Sequence, residues 1–527
     1  MAKRNDIDLS RTSGLDRREF LTGSALLGAM AGLGVGLPGS AVAADETPKS
    51  GGTLKLGMSG GATGDIIDPR TFTDWVPVNI GYQIMNGFVE IDDNNQAVPE
   101  LFESWEAKPG AVEWVFNIRK GVTFHNGKTL DADDVIYSLN LHRGETKSAA
   151  KAMVEGITDI KKLTANQILI TLSGGNADLP YLLSDYHLFA VPNNFTDFSK
   201  PIGTGGYTIE VFEPGIRCIT KKAGNYWKPG RAHVDSIELT CINDTTARTS
   251  ALISGAVHVI NRLDGRTVDL LKRKSNIQII RSQAGQHATL LMNCEQDPYK
   301  SKDVRLALKY AIDREKILAT VLHGYGVIGN DHPVAKTNPF YNADLPQHAY
   351  DPDKAKFHLK AAGLSDLKVE IKVAEAAFTG ATDTAVLFRE AAAGAGIDLT
   401  VTRAPSDGYW ESVWMKAPFC ASYWGGRPTA DQMLSIAYQS TAKWNETAWR
   451  RPDFDKLLIE ARASLDTAKR KQMYGEMQKM ISEDGGAIIP MFIDFIEGGS
   501  TKVKGMKPHP MFDLMGQRIG ERVWFDA

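Results

Sequence analysis

The segment from Tyr350 to Arg403 constrains the fold more than any other. Tyr350-Asp351-Pro352 opens a helix, since proline at a first helical position gives up an N–H that has no partner there. Gly363 stops it. Lys368–Ala374 then alternates like a strand, Asp383–Ala395 returns to helical spacing, and Ile397–Arg403 is a second strand. Strands joined through a helix lie parallel, because a connection of that length crosses the sheet instead of turning back. The spacing therefore predicts an α/β fold with a partly parallel sheet.

Other stretches carry weaker versions of the same signals. Thr53–Met58, Trp114–Arg119, Gln167–Leu172 and 286–293, which ends at Asn293, read as strands, as do runs near 207–212, 216–222 and 234–242. Val78–Phe88 reads as a short helix containing Tyr82, and Asp92-Asp93-Asn94-Asn95 as a hairpin turn. In Asp303–Asp313, Val304, Leu308, Ala311 and Ile312 share one helical face. Phe454–Ile481 is one long helix or a helical hairpin.

At 527 residues the chain can bury two or three cores. Its formal charge of -3 gives no electrostatic footprint for nucleic acid. No unbroken apolar run reaches membrane-spanning length, so the mature chain is not expected to cross a bilayer. The N-terminus reads as an export signal over residues 1–43. Arg17-Arg18 in Asp16–Leu21 is a twin-arginine pattern, Leu21–Leu37 is weakly apolar, and Ala41-Val42-Ala43 offers small residues for cleavage before Ala44. This directs the chain to a periplasm, where disulfides are permitted. Cys218 and Cys241 fall in successive strand-like runs and either pair or stay as buried thiols. Without a C-x-x-C pair, zinc and thioredoxin-like chemistry lack support.

Two stretches invite a chemical reading. Gly57-Met58-Ser59-Gly60-Gly61 matches the G-x-S-x-G elbow in letters, but loop residues follow where that motif requires a helix. A Gly-rich strand end lining a cleft fits Ser59 better than a nucleophile. Ser422-Tyr423-Trp424-Gly425-Gly426-Arg427-Pro428-Thr429-Ala430-Asp431 joins two aromatics, two glycines, a permanent cation and an acid. Either it is a pocket wall, with bare backbone and a guanidinium offered to a carboxylate, or it is a buried strand end followed by a Gly-Pro turn. Trp410, Trp414, Trp444 and Trp449 crowd the same region, and one or two of them are expected as pocket walls.

Six blocks in order carry a resemblance. They are Leu101–Trp105; Phe124–Gly127 with Asp133-Asp134-Val135; Pro201–Tyr207; Asn225-Tyr226-Trp227; Asp303-Val304-Arg305 with Ala311–Arg314; and Tyr350-Asp351-Pro352 through Ala362-Gly363. Together they resemble the extracytoplasmic solute-binding proteins of ABC importers, in the peptide/nickel (dipeptide- and oligopeptide-binding) group, over nearly all of the chain after the signal. The resemblance implies an α/β, periplasmic-binding-protein type II-like architecture: two mixed lobes around a ligand cleft plus an extra domain. Lobe I would comprise 45–92, 200–292 and 493–527, the extra domain 93–199, and lobe III 293–492. It implies binding and hinge closure without catalysis, no cofactor and no metal, a monomer, and an ABC permease as partner.

In peptide-binding relatives the segment matching Ser422–Asp431 typically reads Trp-x-Gly-Asp, and its acid receives the peptide ammonium. This chain has Arg427 there, with Asp431 four residues on. The departure points to a ligand carboxylate, or to an Arg427 paired with Asp431 or another internal acid. The candidate contacts are Ser59, Tyr82, Asn293, Trp410, Tyr423, Trp424, Gly425, Gly426, Arg427 and Asp431. The expected cargo is a peptide or a small peptide-like or opine-like solute. The alternatives are a metal chelate, haem or an oligosaccharide and, more remotely, a hydrolase.

Overall fold

The expected parallel pair forms. In the computed structural model, which describes residues 47–526, strand Leu367–Val373 runs beside Ile397–Arg403 from Leu367↔Ile397 to Val373↔Arg403. Helix Ala381–Ala393 packs on that pair, and Leu367, Val369, Ile371 and Val373 alternate into the core beneath it. Phe419–Trp424 extends the pair in parallel, and antiparallel strands His287–Met292, Met491–Ile493 and Gly326–Ile328 complete this sheet, with Ala487–Ile488 added on His287–Met292. Phe419–Trp424 itself joins the parallel pair through Lys372↔Cys420. The proposed signal at 1–43 lies outside the described residues.

A second seven-stranded sheet has the order Ile277–Ser282, Phe495–Ser500, Val259–Ile260, Thr53–Met58, Ser236–Cys241, Arg217–Lys222, Tyr207–Glu213. Thr53–Met58 is parallel to both neighbours, and the remaining pairs are antiparallel. A four-stranded antiparallel sheet, built from strands between Phe102 and Leu172, has its own core around Phe102, Phe116, Ile168 and Leu139. Among the described residues no helix is long and apolar enough to cross a membrane.

The two large sheets are joined at two neighbouring places. Residues 283–286 connect Ile277–Ser282 to His287–Met292, and Asp494 alone connects Met491–Ile493 to Phe495–Ser500. The connections run side by side: Ser282 is opposite Phe495, and the Ile493 N–H donates to Gln286 O at 2.8 Å. Arg281 clasps them, pairing with Asp494 and donating from Nη2 to Gly326 O at 2.8 Å.

A dense charge network fixes the hairpin Val89–Pro99 to the sheet containing Thr53–Met58 and to the C-terminal segment. Arg518 grips Glu100 through two bonds of 2.8 and 2.7 Å, while Lys228 reaches Glu100 at 2.7 Å and Glu90 at 2.8 Å. Arg522 closes on Glu90 at 2.6 Å. Glu100 is 0% exposed, and burial at that depth is tolerable because every charge has a partner.

Several local expectations shift. The helix expected at Asp303–Asp313 spans Lys302–Tyr310 and is capped by Ser301, whose Oγ accepts from the Val304 N–H. Asp303 turns to His358 Nδ1 at 2.8 Å, and Asp313 caps the following helix, Arg314–Val321. Phe454–Ile481 is the hairpin: helices Pro452–Ala463 and Thr467–Asp484, broken at Ser464. All four cysteines are free thiols. Cys218 lies opposite Leu239, not Cys241, so the adjacent strands leave the two sulfurs unbridged. Burial pushes the Cys218 thiol up to about 12.

Candidate functional site

The site is built where strand Phe419–Trp424 runs out. Gly425, Gly426, Arg427 and Pro428 form the loop between it and helix Ala430–Ala437, whose first turn is capped by Thr429 Oγ1 accepting from the Gln432 N–H at 3.2 Å. A side chain at Gly426 would bring its Cβ to 3.1 Å from Gly285 Cα. Backbone presses on backbone there, so a side chain would push this loop a few tenths of an ångström off the segment that joins the two sheets.

Gly426 and Arg427 line a small cavity of about 20 Å³. Val334 and Met433 supply its apolar surface from the same side. Asn95 faces in from the hairpin, and Pro510 and Met511 from the C-terminal segment. Arg427 Nη1 donates to Gly425 O and Gly426 O, both at 3.2 Å, and its guanidinium carbon stands 5.8 Å from the Trp424 ring centre. Among the described residues no carboxylate lies within ion-pairing distance of it. Burial pulls the Arg427 pKa down, against the opposing pull of the Tyr186 hydroxyl, the Asp185 carboxylate and the Tyr423 hydroxyl.

Asp431 does not pair with Arg427. Its carboxylate takes Arg462 Nε at 2.9 and 3.0 Å, and burial raises its pKa to about 6. Of the two internal fates open to Arg427, the pairing with Asp431 is therefore replaced by backbone contacts.

The remaining candidates scatter. Trp424 Nε1 donates to Glu446 Oε2 at 2.6 Å, and Ser422 Oγ and Trp414 Nε1 donate to the other carboxylate oxygen. Burial raises the Glu446 carboxyl to about 7. Gly425 contributes its carbonyl to Arg427. Tyr423 is 43% exposed and meets Trp410 edge-on at 5.9 Å, outside the cavity lining. Trp444 is 48% exposed beside Trp424, whereas Trp449 is core, bonded to Asp484 Oδ2 at 2.9 Å. None of the four clustered tryptophans lines the cavity.

Ser59 is buried, with its N–H and hydroxyl directed at Asn261 Oδ1, and has no base beside it. Tyr82 lies under the Arg518 guanidinium, 4.3 Å from ring centre to carbon, and so belongs to the charge network. Asn293 sits in a turn, its Oδ1 accepting from the Glu295 N–H at 2.9 Å. It is at the far end of His287–Met292 from Gly285, and six strand residues span roughly 20 Å.

Several residues at the site carried no such signal in sequence. Trp75, Tyr186 and Phe512 form an aromatic group with ring centres 4.7 to 6.0 Å apart, next in sequence to cavity-lining Met511. Asp185, adjacent to Tyr186, holds His187 Nδ1 at 2.6 Å through Oδ1. Asn95 was legible as a turn residue and not as a cavity residue. Among the described residues no group of histidines, cysteines and acids is arranged to hold a metal ion.

Residues 96–446 match the family model for bacterial extracellular solute-binding proteins, family 5 (middle). The dipeptide-binding protein of Escherichia coli is 24% identical over 525 residues, covering 91% of this chain and 96% of that protein. Heme-binding protein A of Haemophilus influenzae is 29% identical over 314 residues, covering 53% of this chain and 56% of that protein. Among solved structures, AgaA of A. tumefaciens R10, in complex with agropinic acid, superposes with a TM-score of 0.72 at 22% identity. That match covers 90% of this chain and 99% of AgaA.

Proposed function

The chain belongs to the family 5 bacterial extracellular solute-binding proteins, and from that premise we propose that it is the receptor of an ABC importer for a peptide or a small peptide-like or opine-like solute bearing a carboxylate. The observation that carries the solute's charge is Arg427, a cation in the cavity wall whose protein contacts are two backbone carbonyls. A half-buried guanidinium without an acid keeps N–H donors to spare, and a bound carboxylate takes them with a paired hydrogen-bond geometry. The similarity to a dipeptide-binding protein and to an agropinic-acid complex supports the same solute class.

In this reading residues 45–92, 200–292 and 493–527 form lobe I, 93–199 the extra domain and 293–492 lobe III. The separate sheets and cores support three bodies, with strand His287–Met292 pairing in the sheet of lobe III. The lobes close over the solute by rotation about the paired connections at 283–286 and 494, and the loaded monomer docks on its permease. Residues 1–43 direct export through the twin-arginine route.

Thermal-shift titration with dipeptides, opines and sugar acids tests the solute. A carboxylate-bearing member should raise Tm in proportion to the logarithm of its concentration, without turnover. A flat response to all three sets would sink the reading. A haem cargo is the second reading, favoured by the likeness to heme-binding protein A. A saturable visible absorbance shift on adding haem would select it.

A further inference from the structure

One residue in the hairpin turn engages both walls of the cavity. Asn95 has φ 59°, in the left-handed region that asparagine tolerates better than most residues. Its backbone is held there by its N–H to Asp92 O at 3.1 Å and by the Tyr181 hydroxyl on its carbonyl at 3.3 Å. The residue is 4% exposed. Nδ2 donates to Pro428 O at 3.3 Å, which fixes which end of the amide is which. Oδ1 is then left buried, accepting no hydrogen bond from the protein, in a residue that lines the same cavity as Arg427.

A buried amide oxygen without a donor is uneconomical, and it shares one cavity with a half-buried guanidinium that has no acid. We propose that Asn95 is a solute-reading residue: its Oδ1 accepts an N–H of the bound solute while its Nδ2 holds the opposite loop at Pro428. Paired with Arg427, it selects a solute carrying an ammonium or amide N–H together with a carboxylate. The amide also ties recognition to closure, because Pro428 directly follows Arg427. The carboxylate half of this selection rests on the proposed function above, whereas the N–H half stands on Asn95.

The test compares Asn95→Gly with Asn95→Asp. Both tolerate positive φ and both lose the amide N–H to Pro428, but only Asn95→Asp keeps an acceptor. The probe is a set of dipeptides with free termini, with a C-amidated set and a set of sugar acids alongside, read by thermal shift. For free dipeptides, Asn95→Asp should stay within about threefold of wild-type affinity and Asn95→Gly should weaken about tenfold or more. Equal impairment of the two variants would reduce Asn95 to a latch and overturn the proposal, as would an unimpaired Asn95→Gly. Sugar acids that bind wild type and lose as much in Asn95→Gly would overturn the N–H assignment in favour of a hydroxyl. If amidated dipeptides bind wild type as tightly as free ones, the Arg427 reading fails while the Gly–Asp contrast still decides Asn95. No response of wild type to free dipeptides would overturn both.

Discussion

Arg518, buried, and Arg427, half-buried, each stand near an aromatic ring, and they are equipped in opposite ways. Arg518 lies over Tyr82 and forks onto Glu100, with Glu90 and Glu521 within 4 Å. Arg427 lies near Trp424 and touches two carbonyl oxygens. The pKa of Arg518 is held well above its usual value by Glu100 and Glu90 despite burial, while burial lowers that of Arg427. A saturated guanidinium is a fastener. An unsaturated one beside a cavity has binding capacity left over, and that distinguishes a ligand contact from a structural arginine more reliably than conformation or aromatic neighbours do.

The comparison can be broken at its strongest point first. Arg518→Met leaves Glu100 buried without its main partner and should cost about 3–5 kcal/mol of unfolding free energy in urea titration. A loss under about 1 kcal/mol would mean the network is not a fastener. Next in size is an opposition in pH response. Glu90 and Glu100 have lowered pKa values, so the stability they supply is present above the carboxyl pKa of the unfolded chain and is lost as pH falls through their folded values. Glu446 is raised to about 7, so its folded form holds a proton that the unfolded chain releases. Its contribution is full below the unfolded carboxyl pKa and declines as pH rises toward about 7, on the order of 3 kcal/mol over that window. Unfolding titrations from pH 4 to 8 should show a decline about 3 kcal/mol smaller in Glu446→Gln than in wild type, the remainder coming from other raised acids such as Asp431.

Arg427→Ala should leave unfolding free energy within about 0.5 kcal/mol of wild type, since no acid is orphaned. It should weaken binding of a carboxylate solute by about 1.5–3 kcal/mol, the range for hydrogen bonds to charged groups. A variant that loses stability instead of affinity would return Arg427 to the structural class. Arg427→Lys sharpens the point with the smallest effect: charge survives and the fork does not, so calorimetry should recover all but about 1 kcal/mol of the binding energy.

How much of this was legible in sequence depended on range. The parallel pair at 367–403 follows from helix and strand spacing within one stretch, and it formed in the expected place. Arg427 drew attention because glycines, aromatics and a cation sit together in ten residues. Asn95 gave no such sign, because its partner Pro428 is 333 residues away. Asn293 shows the converse limit: periodicity locates a strand's end without saying which end meets the cavity. Asp431 lay four residues from Arg427 and was claimed by Arg462, because the first turn of helix Ala430–Ala437 faces helix Pro452–Ala463.

The paired connections at 283–286 and 494 have a mechanical consequence. The chain leaves the sheet containing Thr53–Met58 and returns to it through adjacent, hydrogen-bonded segments, so residues 287–493 form a single excursion with both ends at one spot. A two-stranded ribbon twists and bends readily and resists being stretched or sheared, because either would break its cross-links. It acts as a bearing with one soft axis, and Arg281 is the pin across it. In the closure proposed above, each cycle of capture and release would be steered along a single angular coordinate, bringing Arg427 and Asn95 back into the same alignment.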